Sequence, residues 1–330
     1  MNARGIYAIP FVIRHPYRLS VHRYSGTSCI FIHSECEFIE FVKPVINMRL
    51  LPRTFAPIRQ CAQHSTALFV LLSVFGALNA HAGISRITTA QCSNMHAGGV
   101  INENSPVQCD RLRNVSFDYV NFDGWAQKGE VVVLDAVADR VQTIFDTLYR
   151  MRFPLNKAVP IERYRGDDDA SMNDNNTSAF NSRRKTGRDE WSMHAYGVAI
   201  DVNPHQNPYV SFGDDGLARV LPASAAKTSM NRLDERPNKP ARPGMAERVV
   251  DVFASNGFLR WGGYWDDPID YQHFEAGSRA LVARMVDASP DDARRMFERY
   301  VASYANCLAH TALASHAAAR AACIGDALRE

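Results

Sequence analysis

Histidine is scarce downstream of residue 82: His96, His194, His205, His273, His310 and His316 are the full set. Two of these stand in segments dense with residues able to do chemistry. Trp191-Ser192-Met193-His194-Ala195-Tyr196-Gly197-Val198-Ala199-Ile200-Asp201 sets a histidine and an aspartate seven apart with a glycine between them. Asp270-Tyr271-Gln272-His273-Phe274-Glu275 brackets the second histidine with carboxylates. A turn opened at Gly197 and followed by a short strand would swing His194 and Asp201 toward one point. With His273 they make two imidazoles and one carboxylate, the three ligands with which a catalytic zinc keeps its fourth position for water. Asp270, three residues before His273, falls where a general base belongs, near a metal without binding it. The plain alternative is that each histidine is an ordinary hydrogen-bonded residue of core or surface, and spacing alone does not separate the two.

The elements that must carry these residues follow from periodicity. Val115–Phe122 alternates apolar and polar, which predicts a strand, and Asp123-Gly124 reads as a turn into a second strand at Glu130–Leu134. Asp135 is placed to cap a helix along which Val137, Val141, Phe145 and Leu148 recur at helical spacing, with Pro154 beyond its end. The stretch from Arg165 to Arg188 is polar and rich in Asp and Asn, and reads as a long loop with Asp167-Asp168-Asp169 as a solvated acidic rim. Short strands are expected at Ala199–Val202, Phe258–Trp261 and Tyr271–Phe274, and a helix over Met245–Asn256 ending at Gly257. Ser289-Pro290 opens an Ala-rich helical tail.

Ser192, His194, Gly197, Ala199 and Asp201 spell S-x-H-x-x-G-x-A-x-D, which resembles the signature of the D-alanyl-D-alanine peptidase family typified by VanX and VanY. The second segment, D-x-x-H-F-E, is similar to the VanY-type branch that includes L-alanyl-D-glutamate endopeptidases, as are the stretches DNNTSAFNSR and GFLRWGGYW. The resemblance runs from Val115 to Glu275. It implies an α+β fold, a small antiparallel sheet flanked by helices as in VanX, VanY and hedgehog domains, here with a helical C-terminal extension. It implies that His194, Asp201 and His273 hold Zn2+, that Asp270 is the catalytic acid/base, and that an upstream arginine polarises the scissile carbonyl. Arg183 is the candidate, with Arg184 and Arg165 as competitors. Ser192 is read as a positioning hydrogen-bond partner, since no Ser-His-Asp arrangement accompanies it. Glu275 would orient His273 or else be a surface strand carboxylate. Trp191 and Trp261, with Tyr264 and Trp265, would wall a substrate cleft or pack in the core.

The remaining composition bounds the setting. Residues 1–82 carry eight Lys/Arg against three Asp/Glu, leaving 29 against 32 downstream, so bulk charge recruits neither nucleic acid nor an anionic membrane. Ala67–Leu78 is a twelve-residue apolar run, short for a bilayer, preceded by Arg49, Arg53 and Arg59 and followed by Ala80-His81-Ala82. These parts describe a signal peptide over residues 48–82 with cleavage after Ala82. Met48 is then the expected initiator and residues 1–47 an upstream over-reading of the frame. Export to the periplasm or beyond, with no membrane anchor after cleavage, fits four downstream cysteines expected to pair as Cys92–Cys109 and Cys307–Cys323. The expected organisation is a lead-in at 83–114, a VanY-like domain at 115–278 and the helical extension at 279–330. The function expected is zinc-dependent hydrolysis of peptidoglycan stem peptides, as carboxypeptidase or endopeptidase. The contrasting expectation, a zinc-containing module that binds wall or partner without catalysis, is disfavoured by Asp270, which a structural site does not need.

Overall fold

The computed structural model describes residues 83–185, 188–313 and 315–329, together with the backbone of two upstream strands. Those strands, β1 (Leu19–Tyr24) and β2 (Thr27–Ile32), pair as an antiparallel hairpin. The chain divides into two compact units, Met1–Phe75 and Gly76–Glu330, and every element from Gly83 onward belongs to the second. The apolar run at 67–78 and the Ala80–Ala82 site lie outside the described residues.

β3 (Gly83–Arg86), β4 (Leu112–Val120) and β5 (Ala126–Leu134) form a three-stranded antiparallel sheet with β4 at its centre. β4 and β5 are the expected hairpin, with both strands beginning earlier than expected and β4 ending at Val120 rather than Phe122: Asn121 accepts the backbone N–H of Asp123 and Trp125 and so fixes the turn. The alternation holds, with Val115, Phe117 and Tyr119 buried. The lead-in is woven into the same core. Helix α1 (Thr89–Ala97) buries Met95 and is joined by the Cys92–Cys109 disulfide to the turn that enters β4. Helix α2 (Ala138–Arg150) lays Val141, Ile144, Phe145 and Leu148 on the sheet, and Phe145 stacks on Phe117 at 3.7 Å. Asp135 does not cap it. A 3-10 turn (Asp135–Val137) leads in, and the Asp135 carboxylate instead takes two hydrogen bonds from Arg111, which also donates to the carbonyls of Met285, Val286 and Ala288.

The polar stretch after Arg165 is not the solvated loop its composition suggests. It holds a short helix α3 (Asp168–Asn173) and a strand, β7 (Asn176–Thr177), that pairs in parallel with β6 (Lys157–Ala158) upstream of it. Asn175, Asn176, Thr177, Asn181 and Ser182 are buried. Their side chains stand in for missing backbone partners: Asn176 bonds both the N–H and the C=O of Val159. The acidic rim is partly structural too, since Asp167 caps α3 and Asp168 pairs with Arg183 at 2.6 Å.

Two further small antiparallel sheets complete the unit, so the single sheet expected is in fact three. The first orders β10 (Ala218–Leu221), β9 (Tyr209–Phe212) and β12 (Ile269–Asp270); the second orders β11 (Arg260–Trp261), β13 (His273–Glu275) and β8 (Ala199–Asp201). The helix expected over Met245–Asn256 splits into a 3-10 turn (Ala246–Arg248) and α4 (Val250–Ala254), whose Phe253 stacks on Phe274 at 3.9 Å. The tail is helical as expected: α5 (Arg279–Asp287), α6 (Pro290–His310), capped by Ser289 with Pro290 in its first turn, and α7 (His316–Ala327). Phe297, Tyr300, Val301 and Tyr304 of α6 enter the core, and Cys307–Cys323 staples α6 to α7. Among the described residues no helix is long and apolar enough to cross a membrane.

Candidate metal centre and active site

Ser192 opens a 3-10 turn (Met193–Tyr196), and its hydroxyl accepts the backbone N–H of His194 at 3.3 Å. Gly197 closes that turn at φ +68°, and its carbonyl accepts the Leu134 N–H at 2.9 Å, pinning the turn to the end of β5. A Cβ at 197 would lie 2.6 Å from the Leu134 nitrogen, so only glycine satisfies both the dihedral and the approach. β8 then runs directly to Asp201, which faces His273 across the β8–β13 ladder. Directly paired residues of adjacent strands share one face of the sheet. Three side chains separated in sequence are thereby brought to one point.

His194 Nε2 and His273 Nδ1 lie 3.1 Å apart, and the Asp201 oxygens are 3.1 Å from the first and 3.0 Å from the second. All three side chains are buried. His194 directs Nδ1 at the Ala179 carbonyl and His273 directs Nε2 at a Glu275 carboxylate oxygen 3.0 Å away. Each acceptor takes the ring's N–H, so in the neutral rings the remaining nitrogens are the ones that point toward Asp201. Two ring nitrogens and a carboxylate converging in a buried pocket could hold a metal ion between them. Donors bonded to zinc at about 2.0–2.1 Å in a tetrahedron stand about 3.3 Å apart, close to the spacings here, so this donor set fits zinc. Glu275 is therefore a buried partner of His273, held in turn by Arg260 at 2.8 Å. Burial opposes the charge on Asp201, but the two histidines outweigh it and hold the carboxyl well below its usual range. Burial likewise opposes protonation of His273, yet its hydrogen bonds to Asp201 and Glu275 push it up to about 10, so a metal ion would bind Nδ1 only by displacing a proton from it.

Asp270 ends β12, next to this centre, in contact with the turn Gly262–Tyr264. A Cβ on Gly262 would meet the Asp270 carbonyl at 2.4 Å and its Cβ at 2.8 Å, so glycine lets the two segments touch. The residue is half-buried, but its Oδ1 is sealed from solvent without a hydrogen-bond partner. That desolvation, with the nearby charge of Asp201, pushes the carboxyl up to about 7 against the pull of the two histidines. A carboxyl that gains and loses its proton near neutrality is suited to general acid/base work.

The arginine candidates separate cleanly. Arg183 hydrogen-bonds through its backbone to Ser192, its Nη2 pairs with Asp168, and its Nε is buried with no partner. Arg184 is committed elsewhere, 3.8 Å over the Trp191 ring and beside Asp189. Arg165 ends the Ile161–Tyr164 turn in a left-handed conformation. Trp261 is a core residue, its Nε1 donating to the Tyr271 carbonyl, and is no cleft wall. Trp265 is the tryptophan beside the centre, its ring 5.5 Å from that of His273. Trp191 is half-buried under Arg184. The sequence reading passed over Tyr209, which pairs with Asp270 and feels both Asp270 and Arg183. It also passed over Asn203 and Asn207, whose amides bond the carbonyls of Pro154, Val202 and Gly244 behind β8. The spacing of Asn203, Pro204 and Asn207 straight after Asp201 was the available signal. A second convergence, Cys92, His96 and Cys109, is no metal site because both sulfurs are spent in the disulfide.

Residues 186–276 match the family model for D-alanyl-D-alanine carboxypeptidase. The matched stretch contains His194, Asp201, Asp270, His273 and Glu275 but ends short of Arg183, and it supports a VanY-type peptidase family. The candidate site thus lies within the stretch that matches this family model. No curated protein and no solved structure matches the chain.

Proposed function

We propose that this protein is a zinc-dependent peptidase of the cell envelope that hydrolyses amide bonds in peptidoglycan stem peptides. One observation carries the proposal: three buried donors converge at 3.0–3.1 Å near a carboxylate whose Oδ1 is sealed without a hydrogen-bond partner, inside the stretch that matches a carboxypeptidase family. Zinc held by His194, Asp201 and His273 would supply Lewis acidity, lowering the pKa of water from 15.7 toward about 7 and polarising a carbonyl. Asp270 accepts the proton of the attacking water, and its elevated pKa lets it hand that proton to the leaving amine. Arg183, with its buried free Nε, stabilises the negative charge that develops on the carbonyl oxygen. Ser192 and Glu275 act through the histidines they hold. The two disulfides support a location outside the cytoplasm, where stem peptides are found.

Purified muropeptides incubated with zinc-loaded protein and weighed by mass spectrometry test this reading. Loss of a terminal D-alanine defines a carboxypeptidase, and separation of L-alanine from D-glutamate defines an endopeptidase. Unchanged masses with zinc-replete protein overturn both and leave a wall-binding or partner-binding module.

A further inference from the structure

The acidic run Asp167-Asp168-Asp169 takes no part in the chemistry above, yet one of its carboxylates is bonded to the arginine of the site. Asp168 is the first residue of α3, a helix begun by Asp167, whose carboxylate accepts the Ala170 N–H at 2.9 Å. Both oxygens of Asp168 are engaged. Oδ2 pairs with Arg183 Nη2 at 2.6 Å, and Oδ1 accepts the side-chain N–H of buried Asn181 at 3.4 Å. Asn181 is tied in turn by its amide to the Gly166 carbonyl and by its backbone N–H to the His194 carbonyl. The Asp168 carboxylate is thereby fixed relative to the segment that carries the metal donors. The Arg183 backbone is held as well, its N–H donating to the Asn181 carbonyl at 2.8 Å and its carbonyl accepting the Ser192 N–H at 3.1 Å. Those bonds leave the long side chain with rotamers to choose among. Besides a 3.5 Å bond from Nη1 to the Arg184 carbonyl, the Asp168 pair orients the guanidinium, and the buried Nε–H is left without an acceptor among the described residues. With side chains 31% and 26% exposed, this ion pair adds little to stability. Its effect is on direction.

We propose that Asp168 is a positioning residue for the reaction, holding the Arg183 guanidinium so that its free Nε–H is already oriented toward the oxygen on which negative charge develops. This rests on the peptidase reading and on the role given there to Arg183. A donor fixed beforehand stabilises developing charge without reorganising at the moment of reaction. Without Asp168 the guanidinium spreads over other rotamers, and the fraction poised for the reaction falls.

The full-length zinc-loaded protein is compared with Asp168→Ala, with Asp168→Asn, which keeps one of the two acceptor oxygens, with Arg183→Ala, and with the double variant Asp168→Ala, Arg183→Ala. On muropeptides kcat should fall about 10- to 100-fold in Asp168→Ala, with partial recovery in Asp168→Asn. In Arg183→Ala it should fall about 10²- to 10³-fold. KM, zinc content and melting temperature should stay near wild type in both Asp168 variants. The double variant should be no slower than Arg183→Ala, because Asp168 acts only through that side chain. A further fall in the double variant, or wild-type kcat in Asp168→Ala, overturns the proposal. A second readout needs no turnover. The Arg183 Nε–H resonance, assigned by its loss in Arg183→Ala, should exchange with water about 10-fold faster in Asp168→Ala and less so in Asp168→Asn. Unchanged exchange also overturns the proposal. Should the wild type cleave no muropeptide, the peptidase reading fails alone, and the exchange comparison still decides whether Asp168 holds Arg183.

Discussion

Replacing Asp270 by asparagine should remove activity and raise stability together. The folded protein holds this carboxyl at about 7 against an ordinary value of 3.8, chiefly because Oδ1 is sealed from water. Between those two pH values the folded state binds a proton that the unfolded chain has released, so stability falls as pH rises. At 1.36 kcal/mol per unit the loss reaches about 4 kcal/mol as a ceiling, complete above pH 7 and nil below pH 4. Asparagine keeps the shape and never ionises, so it escapes that loss. The assay is thermal unfolding of both proteins from pH 4 to pH 8 with metal removed by chelation, since a nearby cation would itself favour the carboxylate. The variant should melt higher at pH 8, at about 2–4 °C per kcal/mol for a unit of this size, and the advantage should vanish toward pH 4. Equal melting temperatures at pH 8, or a gain independent of pH, would refute the idea that Asp270 is held against its own ionisation.

Other perturbations bear on separate parts of the account. His273→Ala removes a ligand and should abolish stoichiometric zinc binding, whereas Glu275→Gln should weaken it about 10- to 100-fold; competition with a chromophoric chelator measures both. Asp270→Ala should bind zinc normally and lose about 10²–10⁴ in turnover, read from muropeptide kinetics with metal content checked in parallel. Gly262→Ala drives a methyl into the Asp270 backbone and should cost about 1–3 kcal/mol in urea unfolding, with activity falling further than stability explains. The double variant Cys307→Ser, Cys323→Ser opens a loop of sequence separation 16 and should lose about 3 kcal/mol, seen as an earlier unfolding transition.

The convergence of His194, Asp201 and His273 was legible in sequence because the backbone geometry that gathers them is local and cheap to encode. A left-handed glycine and a three-residue strand bring His194 and Asp201 together, and one strand pairing adds His273. Cysteine proximity sufficed for both disulfides. The stretch after Arg165 misled because composition reports polarity and not what the polar groups bond. Asn176, Asn203 and Asn207 are fully buried, and their amides serve backbone groups that neither helix nor sheet satisfies. Asp135 had the type and place of a helix cap, but a bidentate arginine from upstream of β4 offered a stronger partner. Choosing between Trp261 and Trp265 as the tryptophan of the cleft needed the course of the Gly262–Gly263 turn, which sends the first inward and the second over His273. Nothing in the Ala-rich tail showed that Arg320 would pair with Asp251 of α4, because that contact is set by how α7 docks.

Zinc K-edge X-ray absorption on the wild-type protein loaded with one equivalent of metal addresses the shared donor set most directly. The arrangement of His194, Asp201 and His273 predicts a four-coordinate shell of nitrogen and oxygen at about 2.0–2.1 Å with the outer scattering of two imidazoles. A sulfur shell near 2.3 Å, or scattering from water oxygens with no imidazole, would contradict it.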